Sequence, residues 1–245
     1  MLAFLIFPLS ARAEDFDLKM SAGALAFMAP RYEGSDQYGA PGYLPIFDLQ
    51  YGPLFASVVQ GAGLYLPANA ARTIIFAPAV RWRARRNLHD YDWDTLEYID
   101  NIRPTATLNT IVKLDPWIFN FRMTDGTTAD NKGSVYNLGI TWTDWASEKI
   151  HLAIYGTAMF GSRSYNQTYY GITARESAKF GFDEYHPGAG LKSLDIGGIV
   201  KYFTSEKFSI NVIWEYMYLV GPAAASPTTK DANQFRLGLG AEYYF

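Results

Sequence analysis

QFRLGLGAEYYF, residues 234–245, alternates without a break. Phe235, Leu237, Leu239, Ala241, Tyr243 and Phe245 make one apolar face, and Gln234, Arg236, Gly238, Gly240, Glu242 and Tyr244 make the other. Period-2 patterning is the mark of a β-strand, and twelve residues suffice for a tilted strand to cross a bilayer. A half-buried strand of any antiparallel sheet alternates in the same way, so the remainder of the chain must decide between membrane and water.

The same alternation recurs upstream. Phe208, Ile210, Val212, Trp214, Tyr216 and Tyr218 oppose Lys207, Ser209, Asn211, Ile213, Glu215 and Met217. Leu152, Ile154, Gly156, Ala158 and Phe160 oppose His151, Ala153, Tyr155, Thr157 and Met159, and Ile74, Phe76, Pro78, Val80 and Trp82 oppose Thr73, Ile75, Ala77, Ala79 and Arg81. Residues 102–114 and 116–124 read as a hairpin across Asp115-Pro116. Short turns there, at 145–147 and at 204–206 alternate with long polar segments at 87–101, 125–133, 161–190 and 221–233. Transmembrane barrels show this asymmetry, with short periplasmic turns, long outer loops and aromatic girdles, for which Trp82, Trp117, Trp142, Trp145 and Trp214 are candidates. The expected fold is therefore all-β, a transmembrane antiparallel up-and-down β-barrel. The alternative, a soluble sandwich or lipocalin-like barrel, would need the greasy faces to meet in a dry core. Eleven segments are recognisable, with residues 43–66 read as two strands. Bacterial barrels carry even numbers, so ten to twelve strands are expected.

Composition agrees. Among 245 residues 16% are aromatic, which suits a chain with two membrane interfaces. A net charge of -3 argues against a nucleic-acid partner. The absence of Cys removes disulfides, thiol catalysis and thiolate metal sites. MLAFLIFPLSARAED opens the chain with an apolar run and a small-x-small site at Ala11-Arg12-Ala13, so residues 1–13 are expected to be a signal peptide and residues 14–245 a single barrel domain. No later run is apolar enough for a spanning helix, so any crossing is made by strands, in contact with outer-membrane lipid.

Charges predicted to face the lumen include Arg81, Arg83, Arg103, Arg122, Glu215 and Arg236. They either pair and fill the barrel or line a narrow path favouring one ion sign, with Arg81, Arg83 and Arg85 as an anion-attracting stripe. Catalysis finds little support: His89, His151 and His186 lack H-E-x-x-H spacing, no G-x-S-x-G elbow exists, and only His89-Asp90 suggests a hydrolase. Asp90, Asp92 and Asp94 alternate as in a calcium loop, but Thr95 stands where that loop needs Gly. Neither a cofactor nor a metal is expected.

Several stretches carry a resemblance. PRYEGSD (Pro30, Tyr32, Gly34, Ser35 and Asp36), NQTYYGITARES (Gln167, Thr168, Tyr169, Tyr170 and Gly171 at its centre), YHPGAGLKSLDIG, LVGPAAASP and the closing QFRLGLGAEYYF resemble, in order, motifs of the MltA-interacting protein (MipA)/OmpV family of outer-membrane proteins. The resemblance implies a scaffold that brings a lytic transglycosylase together with a murein synthase in cell-wall growth. Other family members are described as porin-like, adhesins or immunogenic. It also implies that Phe245, like the terminal aromatic of other Gram-negative barrels, is read by the barrel-assembly machinery. Pro222 and Ala225 stand where relatives often carry acidic residues, so the resemblance carries no charge-dependent role over to that loop. From the residues alone, Gly34, Ser35 and Asp36 read as a tight turn or an inward-folded plug, and the Gln167–Gly171 cluster as a binding loop or a fold-back cap.

Overall fold

The computed structural model describes residues 18–84, 102–126 and 133–245. Thirteen β-segments follow one another: β1 (Leu18–Met28), β2 (Gly42–Tyr51), β3 (Leu54–Ser57), β4 (Gly61–Leu64), β5 (Leu66–Pro67), β6 (Ile74–Ala84), β7 (Ile102–Leu114), β8 (Trp117–Gly126), β9 (Gly133–Ser147), β10 (Ile150–Gly161), β11 (Gly190–Ser205), β12 (Phe208–Leu219) and β13 (Asn233–Tyr244). Three helices, α1 (Arg163–Tyr170), α2 (Ala174–Phe180) and α3 (Gly221–Ala224), lie in the loops. Every segment pairs antiparallel with its neighbour in the wall, and β1 pairs with β13 from Ser21↔Tyr244 to Met28↔Leu237. Both β4 and β5 pair with β6, so they are one strand interrupted at Tyr65, and the wall closes with twelve strands.

The even number resolves the odd count read from the sequence. Residues 54–66 are not one strand: the chain turns at residues 58–60, where Gln60 N donates to Ser57 Oγ at 2.8 Å and Gly61 takes φ +82°. Val58 and Val59 are strong strand formers, and they hide that turn from any propensity argument.

Exposure alternates with the sequence. In β12, Ile210, Val212, Tyr216 and Tyr218 are exposed while Ser209, Asn211, Glu215 and Met217 are buried. In β13 Phe235, Leu237, Leu239 and Tyr243 point out while Gln234, Arg236 and Glu242 point in. A closed sheet that is apolar outside and polar inside is built for lipid, because the hydrocarbon requires every backbone group to be paired within the wall. This arrangement sets aside the soluble alternative and places the protein in the bacterial outer membrane.

The girdle is partly as expected. Trp82, Trp117 and Trp145 are exposed near strand ends. Trp214 instead stands mid-strand opposite Gly198, and its ring occupies the space that a side chain there would take.

Apart from the turn at residues 58–60, the short turns lie at the end where β1 begins and β13 ends, including the cis Asp115-Pro116 bend and the turns at 147–150 and 205–208. The long connections gather at the other, outer mouth. The signal segment 1–13, Arg85, His89-Asp90 and the Asp92 and Asp94 positions lie outside the described residues.

Candidate functional site

The outer mouth is crossed by a cap. Helix α1 starts where Ser162 Oγ accepts from Tyr165 N at 3.2 Å and from Ser134 N at 3.0 Å, a side-chain cap that also ties the helix to β9. Its inner face carries Tyr165 and Tyr170, which pack with Val135 of β9, Met217 and Leu219 of β12, and Ala223 of α3. Because β9 and β12 are not neighbours, a helix touching both lies inside the mouth. Asn166 holds it from beneath, its Nδ2 donating to Gly188 O at 2.7 Å and Gly161 O at 3.3 Å.

At the far side stands the PRYEGSD turn. Glu33 accepts from Lys192 Nζ and from Tyr170 OH at 2.8 Å, and Lys192 also donates to Tyr170 OH at 3.2 Å. Gly34, at φ +102°, sits so close to Thr229 that a side chain would not fit. Its carbonyl accepts from Lys230 N at 2.7 Å and Asp231 N at 3.1 Å, and its N–H donates to Gln234 Oε1 at 3.1 Å. Tyr32 OH reaches Thr228 O at 3.1 Å, and Gln234 Nε2 reaches Ser35 O at 3.1 Å. Ser226 Oγ then donates to Tyr170 O at 2.7 Å. Five motifs far apart in sequence thus meet in one hydrogen-bonded cluster across the mouth.

Lys192 arrives by a bulge. Met159 pairs with Ser193 and Phe160 with Leu191, leaving Lys192 as the extra residue of β11. Bulges re-aim side chains, and here the ammonium turns inward to a position 3% exposed. Burial raises the pKa of Glu33, yet the charges of Lys192 and Arg236 and the Lys192 hydrogen bond outweigh it and hold the carboxyl at about 2. A carboxyl depressed in this way contributes stability fully above its ordinary value near 4.5 and loses it as pH falls toward 2. The near-ultraviolet circular dichroism of the cap tyrosines is therefore expected to be constant from pH 7 to about 5 and to collapse only between about pH 4 and 2. A transition centred near neutral pH would contradict the Glu33–Lys192 pairing.

The sequence-derived candidates fall as follows. Tyr170 is at the heart of the cap, Gly171 is buried where its N–H closes α1 on Asn166 O and Gln167 O, and Gln167, Thr168 and Tyr169 are half-buried on its outer side. Tyr32, Gly34 and Ser35 belong to the same cluster, Pro30 forms a bridge to Tyr38, and Asp36 is exposed. Glu33, Lys192 and Gln234 were not singled out from the sequence. All three stand within quoted motifs, and the bulge hides Lys192 from any argument by strand parity.

Below the cap, lumen charges pair along the β10–β13–β1 wall. Arg236 pairs with Glu215, which also accepts from Tyr155 OH at 3.1 Å. Lys201 pairs with Glu242 at 3.0 Å. Arg81 and Arg122 are buried on the opposite wall, and Arg83 and Arg103 are backbone partners in the β6–β7 register, their side chains lying outside the described residues. Phe245 N donates to Met20 O at 3.0 Å and its ring is exposed. His151 contacts Thr143 Oγ1 at 2.9 Å, and His186 lies 3.4 Å from both Gln167 and Glu184. Among the described residues no three His, Asp or Glu groups gather closely enough to hold a metal.

The family model described as MltA-interacting protein MipA matches residues 22–245. No curated protein matches the sequence. Similar solved structures include a KdgM porin (8% identity, 94% of this chain and 99% of that one, TM-score 0.42) and outer-membrane expressed OmpT of Vibrio cholerae (9%, 94% and 97%, 0.40). The outer membrane channel DcaP of Acinetobacter baumannii is also similar (8%, 94% and 96%, 0.40).

Proposed function

Because the chain belongs to the MltA-interacting protein MipA family across residues 22–245, we propose that it is a non-enzymatic scaffold of the outer membrane, holding a lytic transglycosylase beside a murein synthase. The observation that supports this reading is the cap. Its tyrosines, Glu33 and Lys192 are bonded to one another across the outer mouth, which spends the best-placed polar groups on rigidity instead of on a solute path. Murein lies on the periplasmic side, so the docking surface is the short-turn rim, where Trp145, Glu148, Lys149, Glu206 and Lys207 are exposed. Photo-crosslinkers at Glu148 and Lys207 in native outer membranes are expected to capture a murein-cleaving and a murein-building enzyme. Capture of neither by a correctly folded barrel would overturn the proposal.

A second reading, a channel for small anions, is supported by Arg81 and Arg122 on one wall. It predicts anion-selective openings in planar bilayers whose selectivity weakens on Arg122→Gln; silent membranes would exclude it.

A further inference from the structure

A hollow interrupts the lipid-facing wall between β8 and β11. Two outward rows cross it in register. Phe119, Ile140, Gly156 and Ile196 form one, and Phe121, Leu138, Ala158 and Leu194 form the other. In both rows the residue on β10 is small, while its neighbours on β9 and β11 are large and exposed. The space this leaves over Gly156 and Ala158 is about 640 Å³, and strand parity opens it to the lipid side.

A second glycine marks the contrast. Gly198 of β11 also faces outward, opposite Trp214, and the indole fills the place of its side chain, with Nε1 2.7 Å from where a Cβ would stand. At Gly156 the nearest atoms of other strands among the described residues, Asp195 O and Ile140 Cγ2, are 3.9 Å from that position. A space without atoms forfeits the dispersion contacts of its lining, and the bilayer core has no water to enter it. On this side of the wall the solvent is hydrocarbon.

The level of the hollow follows from the girdle. Trp117 and Trp142 pair one outward row nearer the periplasmic end, two residues or about 7 Å along the strands. Tryptophans at such a level sit among headgroups, and one leaflet of hydrocarbon is about 15 Å thick, so the hollow lies in the periplasmic leaflet. We propose that it is a seat for one acyl chain of a periplasmic-leaflet phospholipid, which lies on Gly156 and Ala158 and stays with the barrel.

A second copy of this chain fits less well. Small residues favour association in lipid by letting backbones approach, but Leu138 and Ile140 on one side of β10 and Leu194 and Ile196 on the other are exposed and hold a second strand wall away from Gly156. A methylene chain is slim enough to lie between them.

Native mass spectrometry of the full barrel, released into mild detergent from nanodiscs of a single phosphatidylethanolamine, tests the seat. One retained phospholipid is expected. Gly156→Leu and Ala158→Leu, which fill the hollow from the protein, are each expected to lower the retained fraction several-fold, whereas Ile210→Leu on the lipid face of β12 leaves it unchanged. Heat-modifiable gel mobility establishes that each variant folds, and either filling variant alone carries the comparison. On the parent barrel, phospholipid spin-labelled near the middle of its chain is expected to give a strongly restricted population that exchanges slowly with added unlabelled lipid. A barrel without retained lipid, retention indifferent to both fillings, only fast-exchanging spin label, or a dimer of the chain that Gly156→Leu dissociates would each overturn the inference.

Discussion

Glu242→Ala is expected to destabilise the barrel by about 3–5 kcal/mol, the usual cost of breaking a buried ion pair from one side. Four donors converge on this carboxylate: Ser21 Oγ from β1 at 2.6 Å, Lys201 Nζ from β11 at 3.0 Å, Asn211 Nδ2 from β12 at 3.2 Å, and Tyr244 OH from β13 at 3.0 Å. The Glu242 side chain is 0% exposed and that of Lys201 is 5% exposed, so removing the carboxylate strands an ammonium away from water. The group also joins the first strand to the last, and its loss weakens the closure of the cylinder. Urea-dependent folding into vesicles, followed by heat-modifiable mobility, reads the effect. The double variant Glu242→Leu, Lys201→Met removes both charges and is expected to recover most of the loss. A double variant as unstable as Glu242→Ala would trace the cost to packing and not to charge.

How much of this was legible in the residues depends on the length scale of the signal. Alternation in β10, β12 and β13 separates an apolar from a polar face, and the structure exposes the first and buries Glu215, Arg236 and Glu242 of the second, because a strand has one side-chain period and a closed wall has one lumen. Two failures have a common origin. At residues 58–60 and at Lys192 the chain departs from period two by a turn or one extra residue, and neither departure is marked by the Asn-Gly or Asp-Gly pairs that announce a turn. Lys192, read by parity with Asp195, belongs on the lipid face; the bulge alone places it inside. The helices follow a different logic. Thr173 and Glu176 form a capping box and Gly181 ends α2 in the left-handed region, a signature visible in the sequence, but seven residues with no buried side chain give no periodicity to detect. The altered LVGPAAASP loop finds its role in packing: Pro222 O accepts from Tyr185 OH at 3.0 Å, and Ala223 is wholly buried beneath α1.

Lys192→Met should release the cap while leaving the barrel standing. The substitution keeps the length of the side chain and removes the cation that, among the described residues, bonds both Glu33 and Tyr170. Glu33 then remains a half-buried carboxylate facing a tyrosine hydroxyl, with its strongest partner gone. Breaking such a pair from one side costs about 3 kcal/mol or more, and the loss falls on a local unit, since α1 is joined to the wall through Ser162, Asn166 and the Tyr165–Tyr170 face and not through the strand ladder. Hydrogen exchange is the fitting probe because it resolves sub-global opening. Amides of residues 163–170 are expected to lose at least about a hundredfold in protection, those of α2 little, and those of β12 and β13 almost nothing. Unchanged protection in α1 would show that Ser226 and Asn166 suffice to hold the helix and that the Glu33–Lys192 contact is incidental. The same variant separates the two functional readings. If the cap is what bars the lumen, bilayers that are silent with the parent chain gain openings with Lys192→Met, while crosslinking at the periplasmic turns is unaffected. A scaffold needs the rim and tolerates an open mouth, whereas a channel is defined by the mouth, so a single residue at the outer end distinguishes them.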